Sequence, residues 1–248
     1  MSERPPTRWC NARALLEDFA IINWSVDSDR LQAHLPAGFE PEERSGKAFI
    51  AMVAFRSQGF HFRAAPFARI SCGQADYRAL VRHGEERGVW FFGGSLSSRL
   101  VNIASTLWKM PWHYASIDIT SSPNGDPSDR WNFDATGGWG AATIALIHTG
   151  RPFATPPDFG NSTESAATLV DPLVGWYPRR DGGVGRYSVW HEPLQLGEAA
   201  AEVARCDAFE QLGLIDKEQQ PISAGLQKQI HIDVHTPPTK VAPTLAEC

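Results

Sequence analysis

Hydrophobic and polar positions along much of this chain alternate with a period of two, the signature of strands with one face turned to a core. The clearest case is residues 74–81. Ala75, Tyr77, Ala79 and Val81 share one face, while Gln74, Asp76, Arg78 and Arg82 take the other. The polar stretch 83–88 reads as a turn, and 89–92 returns as the hairpin partner. Residues 48–55 form an unbroken apolar run with β-branched and aromatic members, which predicts a strand buried on both faces. Further strand patterns cover 15–24, 115–119, 131–135, 142–148, 186–191 and 226–234.

Helical periodicity predicts three interruptions. The first is short: Asp27 or Ser28 can cap it, Leu31 and Leu35 face inward, and Pro36 with Gly38 ends it. The second spans 98–109, where Leu100, Ile103, Ala104, Leu107 and Trp108 form one apolar stripe before Pro111. The third spans 198–212, with Ala199, Val203, Cys206 and Phe209 inward and Gly213 beyond its end. Residues 150–185 are rich in Pro and Gly, with a short helical pattern at 165–170; the stretch reads either as a lid or as a long surface connection. There is no internal repeat, and no linker divides two compositions. The expectation is one domain over 1–248, with a core from about 9 to 236 and polar tails. About nine strands with inserted helices predict the α+β class, built on a curved and largely antiparallel sheet.

Composition narrows the partners. A 248-residue chain with 42% hydrophobic and 21% charged residues is ordinary for a folded domain, which excludes long disorder. A net charge of −5 provides no field for nucleic acid or an anionic membrane surface. Only 5 of the 23 basic residues are lysine, so each lysine bears inspection. No apolar run approaches the roughly 18 residues of a membrane span. Residues 1–10 lack the apolar centre of a signal peptide. Cys10, Cys72, Cys206 and Cys248 show neither Cys-x-x-Cys nor zinc-finger spacing. These features predict a cytoplasmic protein with free thiols; a Cys10–Cys248 disulfide is the alternative, and a reducing compartment disfavours it.

Several motifs in order carry a resemblance. Phe19-Ala-Ile-Ile-Asn-Trp-Ser-Val-Asp27 is followed by Arg30-Leu-Gln-Ala-His-Leu-Pro-Ala-Gly-Phe39 and Gly46-Lys-Ala-Phe-Ile-Ala-Met-Val-Ala-Phe-Arg56. Then come Gly88-Val-Trp-Phe-Phe92, Met110-Pro-Trp-His-Tyr-Ala115, Val189-Trp-His-Glu-Pro193 and the segment 222–234. Together they resemble the uncharacterised YqjF-like family, a branch of the acetoacetate decarboxylase-like superfamily, over most of residues 9–236. The resemblance implies a closed, mostly antiparallel, cone-like β-barrel with a central cavity. In decarboxylating relatives two adjacent lysines follow a proline, and one forms a Schiff base with a keto acid. The positions that follow Pro111 here are Trp112 and His113, neither of which can form an imine. The decarboxylases' acidic and arginine residues have no convincing match. Relatives often assemble, so a homo-oligomer is a further implied expectation.

Candidate chemistry follows from strand faces. His113 shares a face with Ala115, Ile117 and Ile119, and Trp112 and Tyr114 take the other. If the His113 face is interior, its imidazole is a general acid or base; otherwise it is a structural core histidine. Lys228 alternates with Leu226, Ile230, Ile232 and Val234, which predicts either a cavity amine or a lysine reaching water from a strand mouth. Arg63, His61, Trp112 and Tyr114 complete the candidate substrate contacts, Arg63 as a carboxylate clamp or a surface residue. Arg78 and Arg82 are arginines of the same kind, with a surface position the preferred reading. His231, Asp233 and His235 share a face with metal-ligand spacing, though Gln227 and Gln229 beside them suggest a solvated exterior. The glycines at 137–140 and 181–185 are turns, not phosphate loops, and no Gly-x-Ser-x-Gly elbow occurs. The leading expectation is an enzyme acting on a small carbonyl or carboxylate compound by lyase-, isomerase- or cyclase-type proton transfer, with no cofactor. A non-catalytic binding or sensing module is the rival, and a metal-assisted hydrolase the weaker third.

Overall fold

The computed structural model describes residues 4–99, 101–122, 129–153 and 172–241. It opens with β1 (Ala12–Asp27), α1 (Ser28–Gln32), β2 (Phe39–Pro41), β3 (Lys47–Phe62), β4 (Ile70–His83) and β5 (Glu86–Leu96). The middle holds α2 (Val101–Leu107), β6 (Trp112–Ser121), β7 (Arg130–Gly137) and β8 (Gly140–Pro152). The last part holds β9 (Val174–Pro178), β10 (Val184–Trp190), β11 (Gly197–Cys206), α3 (Asp207–Gln211) and β12 (Ser223–Val241).

All twelve strands join one sheet in the order β10-β9-β5-β6-β7-β8-β11-β12-β1-β3-β4-β2, with extra pairings β10–β12 and β4–β5. Only β5–β6 and β5–β9 run parallel. The extra pairings make two rings of strands that share β12, β1, β3, β4 and β5. The shared strands are therefore covered on both faces, and their alternation supplies two cores. On β3, Ile50, Met52 and Ala54 enter the first core, and Phe49, Ala51, Val53 and Phe55 the second. On β4, Ala75, Tyr77, Ala79 and Val81 belong to the first core and Leu80 to the second.

β1 changes its phase partway. Ala14 and Leu16 point to the second core, as do Phe19 and Ile21, so one extra residue must intervene. The register against β3 shifts between Glu17 and Ala20, and Asp18 sits there with φ 49°. This is a β-bulge, one residue more on β1 than on its partner. The bulge is tied across the molecule. Arg56 pairs with the Asp18 carboxylate and also donates to the Ile119 carbonyl. The Ser121 hydroxyl donates to Asp18, and the Trp131 indole donates to the Asp18 carbonyl at 2.9 Å.

The first helix follows expectation: Asp27 accepts from the Arg30 amide at 2.9 Å, and Leu31 is buried. The second is shorter than its stripe, and Leu107 is 67% exposed. The third requires correction. Residues 197–206 are strand β11, paired with β8 and β12, and the helix is only Asp207–Gln211. Alanine-rich composition favours helix, but the open edges of β8 and β12 need backbone partners, and that pairing overrides propensity. Residues 165–170 and Cys248 lie outside the described residues; the Cys10 thiol donates to the Thr236 carbonyl at 2.9 Å. Among the described residues no helix is long and apolar enough to cross a membrane.

Candidate functional site

A cavity of about 250 Å³ opens within the second core. Leu16, Phe19, Val53 and Phe55 line one side of it, from β1 and β3. Phe91 of β5, Ile230 and Ile232 of β12, and the segment carrying Trp108, Met110 and Trp112 supply more apolar wall. Against this background β4 presents a polar stripe: Cys72, Gln74, Asp76 and Arg78 all face the cavity. Alternation puts them there, because the other face of β4 is committed to the first core.

Asp76 is the centre of the stripe. Its residue is 8% exposed, and Arg78 is 9% exposed. The Gln74 amide donates to both Asp76 oxygens at 3.0 Å. Burial pushes the Asp76 carboxyl up to about 6, against the opposing pull of Gln74 and the Arg78 charge. Desolvation exceeds pairing here, so the group holds a proton at mildly acidic pH and releases it near neutrality. Its neighbours bear the imprint of that charge. Burial first, then Asp76, raises the Cys72 thiol to about 11, which makes it a poor nucleophile. Burial and Asp76 also raise the Tyr187 phenol well above its usual value, so Tyr187 remains a neutral hydroxyl on the cavity wall.

Glycine allows the close approach. Gly94 on β5 is the register partner of both Asp76 and Trp112. A Cβ there would collide with the Trp112 indole and lie 2.9 Å from Asp76 Oδ1. The missing side chain lets an aromatic wall and a buried carboxylate meet.

The sequence candidates fall mostly elsewhere. Trp112 lines the cavity. His113, one residue on, points to the opposite face, where its ring meets Trp139 edge-on at 6.1 Å and Arg180 lies 3.4 Å from Nε2. Burial and the Arg180 charge both lower its proton affinity. The alternation of Trp112 and His113 is as expected, but the face that meets the cavity is the tryptophan's. Tyr114 is 50% exposed. Arg63 is exposed, and half-buried His61 bonds through Nδ1 to the Gly59 carbonyl at 2.7 Å. Lys228 is exposed, between the register pairs Phe19–Gln227 and Glu17–Gln229 at the level of the Asp18 bulge. β12 changes phase there with β1: Ala224 serves the first core and Ile230 the second. Arg82 lies at the surface near Glu40 and Glu42. On the outer face of β12, Asp233 is taken by Arg13 at 2.9 Å and by Arg4. No cluster of three His, Cys, Asp or Glu side chains able to hold a metal occurs among the described residues.

Residues 13–228 match the model of a family described as DUF2071, uncharacterized conserved protein (COG2071). The chain belongs to this family. DUF2071 is the YqjF-like branch that the motifs resemble. No curated protein matches the chain. Among solved structures, acetoacetate decarboxylase from Legionella pneumophila is 17% identical with a TM-score of 0.64, covering 98% of this chain and 94% of that one. The enduracididine biosynthesis enzyme MppR with HEPES buffer bound is 13% identical with a TM-score of 0.66, covering 97% and 89%. An acetoacetate decarboxylase-like enzyme from Sphingomonas wittichii RW1 is 14% identical with a TM-score of 0.58, covering 91% and 90%. At these identities the shared property is the fold, and the DUF2071 chain has the acetoacetate decarboxylase-like one.

Sequence reasoning missed Asp76 and Gln74 and preferred a surface position for Arg78. A signal was present: residues 48–55 are apolar on both faces, so a strand paired to them is also covered on both faces. The polar face of 74–82 was then an interior one, at least as far as the sheet stays covered.

Proposed function

We propose that this chain is an enzyme acting on a small carbonyl or carboxylate compound by proton transfer within the cavity. Asp76 is the acid-base group, Arg78 binds the anionic or carbonyl oxygen, and Gln74 holds the carboxylate in place. The observation that carries the reading is the buried Asp76 carboxyl, raised to about 6 on the wall of a mostly apolar cavity. A perturbed carboxyl beside an arginine in a cavity is an arrangement suited to proton abstraction next to a carbonyl. The described lining contains no lysine, so the proposed reaction is of the lyase, isomerase or cyclase type without an imine. The fold neighbours support the substrate class: one is a decarboxylase, and MppR is described in complex with pyruvate. In this reading the two strand rings close as cone-like barrels, one of them around the site.

The test needs no prior substrate. A panel of 2-oxo and 3-oxo acids in deuterium oxide is followed by proton NMR for exchange at the carbon beside the carbonyl. The protein accelerates exchange for at least one member, and Asp76→Asn slows it by about two to four orders of magnitude. Ligand binding without exchange, or exchange unaffected by Asp76→Asn, refutes the catalytic reading, and the first result identifies a binding module.

A further inference from the structure

We infer that the cavity is built for an amphipathic acid: one anionic end and an apolar body of about ten non-hydrogen atoms, aromatic or medium-chain. This deepens the proposed reading and rests on it for the anionic anchor. Two observations lead to it, the size of the cavity and the distribution of its polar groups.

An apolar cavity of roughly 150 Å³ takes up benzene. On that scale about 250 Å³ holds about ten non-hydrogen atoms. An acid of three or four carbons has roughly six or seven and would leave part of the cavity without a partner, forfeiting the dispersion contacts of the uncovered wall. The distribution is as informative. Gln74, Asp76 and Arg78 lie on one strand, so one wall is polar. The facing walls are mostly apolar surface and ring faces, with Phe19, Phe55, Phe91, Trp108 and Trp112. Their polar members, Ser57, Ser98, Tyr187, His191 and Thr236, are scattered over several elements and carry no carboxylate or guanidinium. A polyhydroxylated or phosphorylated ligand would bury its polar groups against those rings unpaired, at a substantial cost. An acid whose carboxylate meets Arg78 and whose body covers the rings satisfies both sides. Ala104 of α2 also lines the cavity with its small side chain, so a larger residue there would remove room without touching the polar stripe.

The test is isothermal titration calorimetry of the full chain with propanoate, hexanoate, octanoate, decanoate, phenylacetate and the neutral 3-phenylpropan-1-ol. Affinity should rise about fourfold per added methylene as far as octanoate, and phenylacetate should match octanoate within about fivefold. Decanoate should gain nothing further. Ala104→Phe should lose octanoate and phenylacetate by tenfold or more while retaining the shorter acids. Affinity that is flat or falls from propanoate onward overturns the inference, as does unchanged octanoate binding in Ala104→Phe. Arg78→Met, with folding checked by circular dichroism, separates this from the reading beneath it. If only short acids bind and Arg78→Met loses them, the anchor stands and the amphipathic ligand fails. If the alcohol binds as well as the acids and Arg78→Met changes nothing, the apolar body stands and the anchor fails. Absence of binding by every member overturns both.

Discussion

Asp76 shows how one buried carboxyl links function to stability. Its ordinary value of 3.8 rises to about 6 in the folded chain. Between those values the folded state holds a proton that the unfolded state has released. Stability from this group is therefore complete below about pH 4 and falls as pH rises through about 6, by about 3 kcal/mol in all. Asparagine keeps the shape and does not ionise. Asp76→Asn should match the parent at pH 4 and exceed it by about 1–3 kcal/mol at pH 8, measured by urea denaturation. An unchanged difference between the two pH values would show that Asp76 is not held in a desolvated state. The same residue marks the limit of sequence reading at this scale. The alternation of Gln74, Asp76 and Arg78 against Ala75 and Tyr77 is plain in the chain. Its outward appearance is not informative, because a second core lies on the far side of the strand, made by residues distant in sequence.

At the scale of elements, the strands are the most legible part, because period two needs only local sequence. The hairpin of β4 and β5 and the run in β3 follow directly. β11 does not, since its alanines favour helix and its strand state depends on β8 and β12. Lys228 fails for a related reason. Simple alternation carried it inward, but β1 and β12 change phase together at Asp18, and a bulge is invisible to a two-residue period. Removing the tie at that bulge should be costly. Asp18→Ala strands Arg56 and frees the Ser121 hydroxyl, and should destabilise the chain by about 2–3 kcal/mol in thermal or urea unfolding. A loss below about 0.5 kcal/mol would mean that the tie is not structural. On β5, Gly94→Ala would push its methyl into Trp112 and Asp76. It should destabilise by about 1–3 kcal/mol and weaken ligand binding, with tryptophan fluorescence reporting the displaced indole. Unaltered fluorescence and stability would contradict that close approach.

For the molecule as a whole, one sheet serves two interiors. The first is filled by Trp24, Tyr77, Phe133 and Phe209, all fully buried. The second keeps a cavity, and the polar stripe of β4 lies in it. The order of motifs identified the family and the acetoacetate decarboxylase-like fold, and of the two positions after Pro111 it is Trp112 that lines the cavity. The sequence reading placed candidate chemistry at His113, and the structure puts that imidazole against Trp139 on the other face. Which interior stays hollow is decided by the sum of side-chain volumes from many strands, and no local pattern encodes that sum.

The proposed chemistry depends on a cavity carboxyl, Asp76, that moves a proton near neutral pH. Carbon-13 NMR titration of the aspartate side chains, compared between the parent chain and Asp76→Asn, tests it most directly. One carboxyl resonance should titrate with a midpoint near pH 6 and vanish in the variant. If every aspartate resonance titrates below about pH 4.5, Asp76 is an ordinary carboxylate and cannot be the proton-transfer group.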